Sequence, residues 1–197
     1  METTLAALAG FALAAAVGFR VFVPFLVMSV AAHAGHLPLA DEFAWIGTTP
    51  ALIAFSVAAL VELLAYSIPW VDHALDVVSA PVAVIAGTIA MASVVVDMSP
   101  FLRWTLAVIA GGGVAGMVQG GTAVGRGVST ATTGGLANPV VSAVEFGGSV
   151  LTSVLAVLVP VLAFVLVCAM LVWVASRLRR IRANRQRTST SRFTSGA

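Results

Sequence analysis

Long apolar runs, broken at a few polar points, set the pattern of this chain. Leu5 to Ala34 is apolar except for Arg20, Ser29 and, at its end, His33. As one helix it would reach roughly 45 Å at 1.5 Å per residue, longer than the roughly 30 Å hydrocarbon core of a bilayer. Pro24 lacks an N–H and clashes with the carbonyl of Arg20 in a continuous helix, so the pattern predicts a kink or a division beside Arg20. A polar connection follows, from His33 through His36 to Asp41 and Glu42. Gly35 and Pro38 make it a solvated loop rather than a helix that could hold a metal.

Trp45 to Tyr66 reads as the second span, with Glu62 in its last turn. Pro69 and Trp70 mark a turn, and Asp72 and Asp76 are spaced to share one helix face. Ala74 to Val96 is the third span, with Pro81 inside it, and Phe101 to about Gly120 the fourth. The stretch from Thr122 to Asn138 is too polar to face lipid, yet Arg126 is its single charge. It reads either as a re-entrant, cavity-lining segment or as an exterior loop. Asn138-Pro139 is a helix start, an N-cap residue followed by proline at the first position. Gly147-Gly148-Ser149 is the expected break, and Val150 to Ser176, with a kink at Pro160, is the last span.

The expected fold is therefore all-α: a polytopic helical membrane domain over residues 1–176 with about six segments, some short or broken, and both termini on one side. If 139–148 is re-entrant, five crossings remain and the termini separate. The runs are too long and unbroken for the alternating strands of a membrane β-barrel.

Composition agrees with lipid as the solvent: 60% of residues are hydrophobic and only 9% charged. A soluble domain carries about 25% charged residues. The net charge of +2 hides an asymmetry. Arg177, Arg179, Arg180, Arg182, Arg185, Arg187 and Arg192 crowd a tail, 177–197, that has no acid. Such a tail reads as cytoplasmic, attracted to anionic lipid headgroups and disordered beyond Arg182. It is not read as a nucleic-acid binder. Cys168 is the single cysteine, which excludes an intrachain disulfide. The N-terminus has Glu2 and no positive region, so its first apolar segment is expected to be retained.

The acids carry the chemistry. The stretch VELLAYSIPWVDHALDVVSAP, 61–81, places Glu62, Asp72 and Asp76 among apolar residues, and Glu145 lies within a later helix. An ionisable group in a span is costly and functional by default. The candidate binding set is Arg20, Glu62, Asp72, Asp76, Arg126, Asn138 and Glu145, of which the six charged residues are expected to converge on one polar region. Gly10, Ala14 and Gly18, and again Gly112, Gly116 and Gly120, recur every four residues. That pattern suits close helix approach within the chain or in a homo-oligomer.

The two halves, 4–97 and 101–176, are faintly alike. Ala16-Val17-Gly18-Phe19-Arg20 resembles Ala123-Val124-Gly125-Arg126, and each arginine precedes an intramembrane glutamate by one segment. An inverted repeat of the kind found in transporters accounts for this, and so does chance in a low-complexity background.

The blocks GFRVFVPF, VELLAYSIPWVDHALDVVSAP and GGLANPVVSAVE resemble an uncharacterised family of small bacterial integral membrane proteins, domain of unknown function 4126. The resemblance covers nearly the whole chain up to the arginine tail. It implies a bacterial multi-span membrane protein and no established activity; the expected location is the inner membrane, and no cofactor or metal is expected. No Gly-x-Ser-x-Gly elbow or His-Glu-x-x-His pair is present, and the chain is not expected to be an enzyme. Two readings remain: a small transporter moving a proton, a cation or a small polar or anionic solute, or a scaffold subunit whose buried charges merely pair.

Overall fold

The computed structural model describes the backbone of residues 2–65 and 69–194, with side chains for 2–65, 78–177, 179 and 180. It is all helical, and no strand occurs among the described residues. Eight α-helices follow in order: α1 Thr3–Phe19, α2 Phe22–His33, α3 Thr49–Ala65, α4 Pro69–Val94, α5 Pro100–Leu106, α6 Gly113–Thr133, α7 Asn138–Leu158 and α8 Pro160–Thr194. A 3-10 stretch, Asp41–Gly47, precedes α3. A π-helical stretch, Ala107–Gly112, joins α5 to α6, so that Pro100–Thr133 is one continuous 34-residue helix.

Among the described residues, three helices are long and apolar enough to cross a bilayer: Pro100–Thr133, Asn138–Leu158 and Pro160–Arg177. The 3-10 stretch and α3 make a fourth if taken together, although they are bent by 67°. The described apolar parts of α1, α2 and α4 are shorter. These apolar helices mark a membrane-embedded protein. Large aliphatic residues cover the outside, among them Val144, Leu151 and Leu158 on α7 and Ile109 on the π-helical stretch. A soluble protein would not leave so much contiguous apolar surface to water.

α1 is the hub. Its small residues are buried almost without exception, Ala9 through Gly18 on the inward side, and it packs against α4, α6, α7 and α8. Gly10 faces Met91 and Val94 of α4, and Gly18 faces Ala115 and Val118 of α6. Gly87 of α4 meets Gly111 and Ala115, and Gly112 meets Val84 and Thr88. Most of the glycine pattern is thus used inside the chain. With little hydrophobic drive between helices in lipid, such close backbone contact supplies the packing.

The division expected beside Arg20 is present: α1 ends at Phe19 and α2 begins at Phe22. Pro24 falls in the first turn of α2, where a missing N–H costs nothing. Two expectations are corrected. Gly147-Gly148-Ser149 does not break the chain; α7 runs unbroken through it, and the break falls at Val159, just before Pro160. Glycine keeps its N–H and only weakens a helix, whereas proline removes the hydrogen bond. The polar stretch after Gly121 is likewise neither loop nor re-entrant segment as far as Thr133, because α6 continues through it. Thr122, Thr132 and Thr133 hydrogen-bond to carbonyls three or four residues back on the same helix. Their hydroxyls are satisfied by the helix, which is how a polar sequence stays helical at low dielectric. The turn into α7 then uses Gly134 and Gly135, both at positive φ, a conformation that glycine adopts without steric cost. At the other end, α8 runs on as a helix into the arginine tail as far as Thr194.

Candidate functional site

Three helices bring charge to one buried point. Arg20 follows α1, and its backbone is already extended (φ −148°), with its N–H donating to the Ala16 carbonyl. Its side chain is 1% exposed and turns to α7. There Nη2 donates to the Ser142 carbonyl (3.3 Å) and to the Ser142 hydroxyl, and lies 3.5 Å from Glu145 Oε2. Arg126, from the buried side of α6, forks onto the same carboxylate: Nε donates to Oε1 at 3.0 Å and Nη2 to Oε2. Glu145 therefore holds two guanidinium groups, one of them in the bidentate geometry that suits arginine.

The face of α7 explains how the carboxylate gets there. Its buried residues are Ser142, Glu145, Ser149, Ser153 and Ala156, spaced three or four apart along one stripe. Ser149 donates to the Ala16 carbonyl of α1 (3.0 Å), and Ser153 to Ser149 in its own helix (2.7 Å). The helix is polar inward and aliphatic outward, the arrangement expected where lipid replaces water.

Glu62 joins the site from the other side of the α1–α2 break. Its Oε1 accepts the Val21 N–H (2.8 Å) and its Oε2 the Phe22 N–H (3.0 Å). A carboxylate from α3 thus satisfies two of the donors that open α2, and complements the positive end of that helix. Glu62 thereby lies beside Arg20, the residue before Val21. Arg20, Arg126 and Glu145 meet at one buried point, and Glu62 binds backbone at the neighbouring break. Both arginines reach Glu145, and Glu62 accepts from backbone N–H groups.

Asn138 opens α7, and the cap residue is Ala137, one position earlier than the sequence pattern gives. Its Nδ2 donates to Thr130 Oγ1 (3.3 Å), which ties α7 back to α6 across the glycine turn. The side chains of Asp72 and Asp76 lie outside the described residues.

Sequence reading passed over three polar partners. Ser142 lies three residues before Glu145, on the same helix face, and that spacing could have found it. Gln119, the one amide in a glycine-rich run, is buried and donates to Ser79 Oγ of α4 at 2.7 Å. Arg103 is buried on α5 and donates to Glu42 Oε1 at 2.6 Å. This pair fastens the 3-10 stretch to α5, and its hydrogen bond holds the Glu42 carboxyl below the ordinary carboxylate range.

Two cavities flank the break. One, of about 650 Å³, lies among Val21, Phe22 and Glu62 at the break, Val57 of α3, and Ser79 and Val82 of α4. The other, of about 670 Å³, lies between α2, α3 and α7, among residues such as Leu26, Leu63, Phe146 and Val150, and carries no acid or arginine.

Apolar helices around an internal arginine–glutamate cluster define a helical membrane-embedded protein with a polar site at a helix break. The chain matches the family described as "Domain of unknown function (DUF4126)" over residues 7–180, and it belongs to that family. No curated protein and no solved structure matches it.

Proposed function

We propose that the protein is a small membrane carrier in which Glu62 is the exchangeable group and the Arg20–Glu145–Arg126 cluster is the fixed frame. One observation carries the reading: Glu62 is part of the wall of an open cavity, whereas Glu145 is enclosed by two guanidinium groups. An intramembrane acid that a cavity reaches can take up a proton or a cation. A helix broken beside it supplies backbone groups to the same place, as in carriers built from discontinuous helices. The role proposed is transport rather than catalysis. The scaffold reading draws on the completeness of the Glu145 pairing. It assigns all four charges to holding α1, α2, α3, α6 and α7 together.

Proteoliposomes separate the two. With the purified chain in vesicles that trap a pH-sensitive dye, an imposed gradient of a monovalent cation should drive a proton flux well above that of empty vesicles. Glu62→Gln should remove that flux, at least tenfold, while the protein still inserts and stays monodisperse. A flux no greater than that of empty vesicles, for every ion tried, would leave the scaffold reading in possession.

The proposed setting is the bacterial inner membrane. Arg177, Arg179 and Arg180 are exposed just past the α8 span, and Arg177 lies over the Trp173 ring (5.4 Å), an aromatic–basic pair suited to the headgroup level. We place this end in the cytoplasm, against anionic lipid. Any homo-oligomer packed through glycine would use Gly113, Gly120 and Gly121, where a side chain would meet no other part of the described protein. Reporter fusions at residues 2 and 197 should report the same side; opposite sides would overturn the six-segment topology.

A further inference from the structure

The cavity at Glu62 has a composition that selects among ligands. Its described walls are Val21, Phe22, Ala54, Val57, Ala58, Val61, Ala65, Val78 and Val82, with Glu62 and Ser79 as the two polar members. Its volume falls within the range of small-molecule sites, about 300–1,000 Å³. Val57, Val61 and Val78 on its rim are each more than half exposed, on the surface that faces lipid. α3 packs against α2 and the 3-10 stretch, and the cavity is the gap between α3 and α4. A ligand in the apolar phase of the bilayer therefore reaches Glu62 without crossing water.

We propose that this cavity binds a lipophilic organic cation, a molecule with one positive charge on an apolar body. The inference rests on the carrier reading and names its substrate class. A sugar or a nucleotide would bring many hydroxyl or phosphate oxygens to a wall with two polar side chains among its described residues, and most would lose water without replacement. An anion would approach the Glu62 carboxylate through an apolar medium, where like charges repel strongly. A cation meets the opposite situation. Each Glu62 oxygen accepts one backbone N–H, and a carboxylate oxygen has room for a second donor or a close positive charge. Arg20 adjoins the backbone that Glu62 binds, and Glu145 draws its guanidinium, with that of Arg126, to the α7 side. Ser79, fixed by Gln119, lies among the apolar walls as a hydroxyl contact. The aliphatic walls then take the ligand body, which gives affinity without demanding a single shape.

The test uses tetraphenylphosphonium and tetraphenylborate, which share a shape and differ in the sign of their charge. Equilibrium dialysis against the purified full-length protein in non-ionic detergent should show saturable binding of the phosphonium. Glu62→Gln should weaken it at least tenfold. Because Glu62 also caps α2, a second variant keeps it: Ala58→Trp fills the cavity and should likewise abolish binding with the thermal unfolding profile unchanged. Val154→Trp, in the other cavity, should leave binding as it is. The inference is overturned if tetraphenylborate binds as tightly, or if neither Glu62→Gln nor Ala58→Trp changes phosphonium binding. Absent phosphonium binding with Glu62-dependent flux of an inorganic cation intact would reject this substrate class and leave the carrier standing. Absence of both would reject both.

Discussion

Replacing Glu145 by glutamine should cost about 3 kcal/mol of stability, the lower end of what breaking a buried ion pair costs. On the scale of a chain this size that is a fall in melting temperature on the order of 10 °C, read by thermal unfolding in detergent. The cost arises from the partners left behind. Arg20 and Arg126 are 1% and 5% exposed at the side chain, and both direct a guanidinium nitrogen at Glu145 Oε2. A glutamine has nearly the shape of glutamate, so no cavity forms and the packing term stays small. What is lost is a negative charge held between two positive ones, in surroundings that screen poorly. The amide also turns two N–H donors toward groups that only donate. The sign of the effect is checked by a cycle. Arg126→Gln alone should be destabilising as well, but the double variant should cost less than the two singles added, by about 1–3 kcal/mol. Additive losses would show that Arg126 and Glu145 contribute independently, and that the fork between them is incidental to the fold.

That pairing marks the boundary of what the sequence discloses. Arg20, Glu62, Arg126 and Glu145 stand out as charges in apolar surroundings, and the cost of burying them is reason enough to expect company. Arg20 also sits where the first apolar run is too long for one crossing and Pro24 forbids continuity, so the break itself could be read directly. Which acid takes which base could not. It depends on the approach of α1, α6 and α7, and that is set by small residues whose role shows only in contact. Glu62 and Arg20 lie at matching places in the first half, yet Glu62 accepts the Val21 and Phe22 N–H groups. A broken helix presents those donors, and they are invisible in a string of side chains.

The two misplaced boundaries share a cause. Gly147-Gly148 looks like a stop and Thr122–Asn138 looks like a loop under the rules of aqueous helices. In lipid the backbone has no water to turn to, so a helix persists through glycine and threonine. Proline is different in kind, and Pro24 and Pro160 both sit at the start of a new helix. Pro81, by contrast, lies inside α4, so even proline ends a helix only where the surrounding packing leaves room.

Gly87→Ala should be one of the most damaging glycine-to-alanine changes among the described residues, at about 1–3 kcal/mol and at the upper part of that overpacking range. The added Cβ would overlap the Cβ of Ala115 and come within 2.9 Å of the Gly111 carbonyl oxygen. Neither neighbour is the far end of a flexible side chain, so relief requires α4 and α6 to move apart. Gly120→Ala, with nothing near it, should be neutral or stabilising by up to about 1 kcal/mol through helix propensity. Gly87→Ala combined with Ala115→Gly removes the closer overlap and should recover most of the loss, which would place the damage at this one crossing. The consequence for the site follows from the same geometry. α4 carries Ser79 and α6 carries both Gln119 and Arg126, so spreading these helices stretches the Gln119–Ser79 hydrogen bond and shifts the guanidinium that Glu145 holds. Gly87→Ala should therefore weaken tetraphenylphosphonium binding at the Glu62 cavity although residue 87 is not among its walls, and the Ala115→Gly partner should restore binding together with stability. Restored stability without restored binding would show that the cavity does not depend on the α4–α6 spacing.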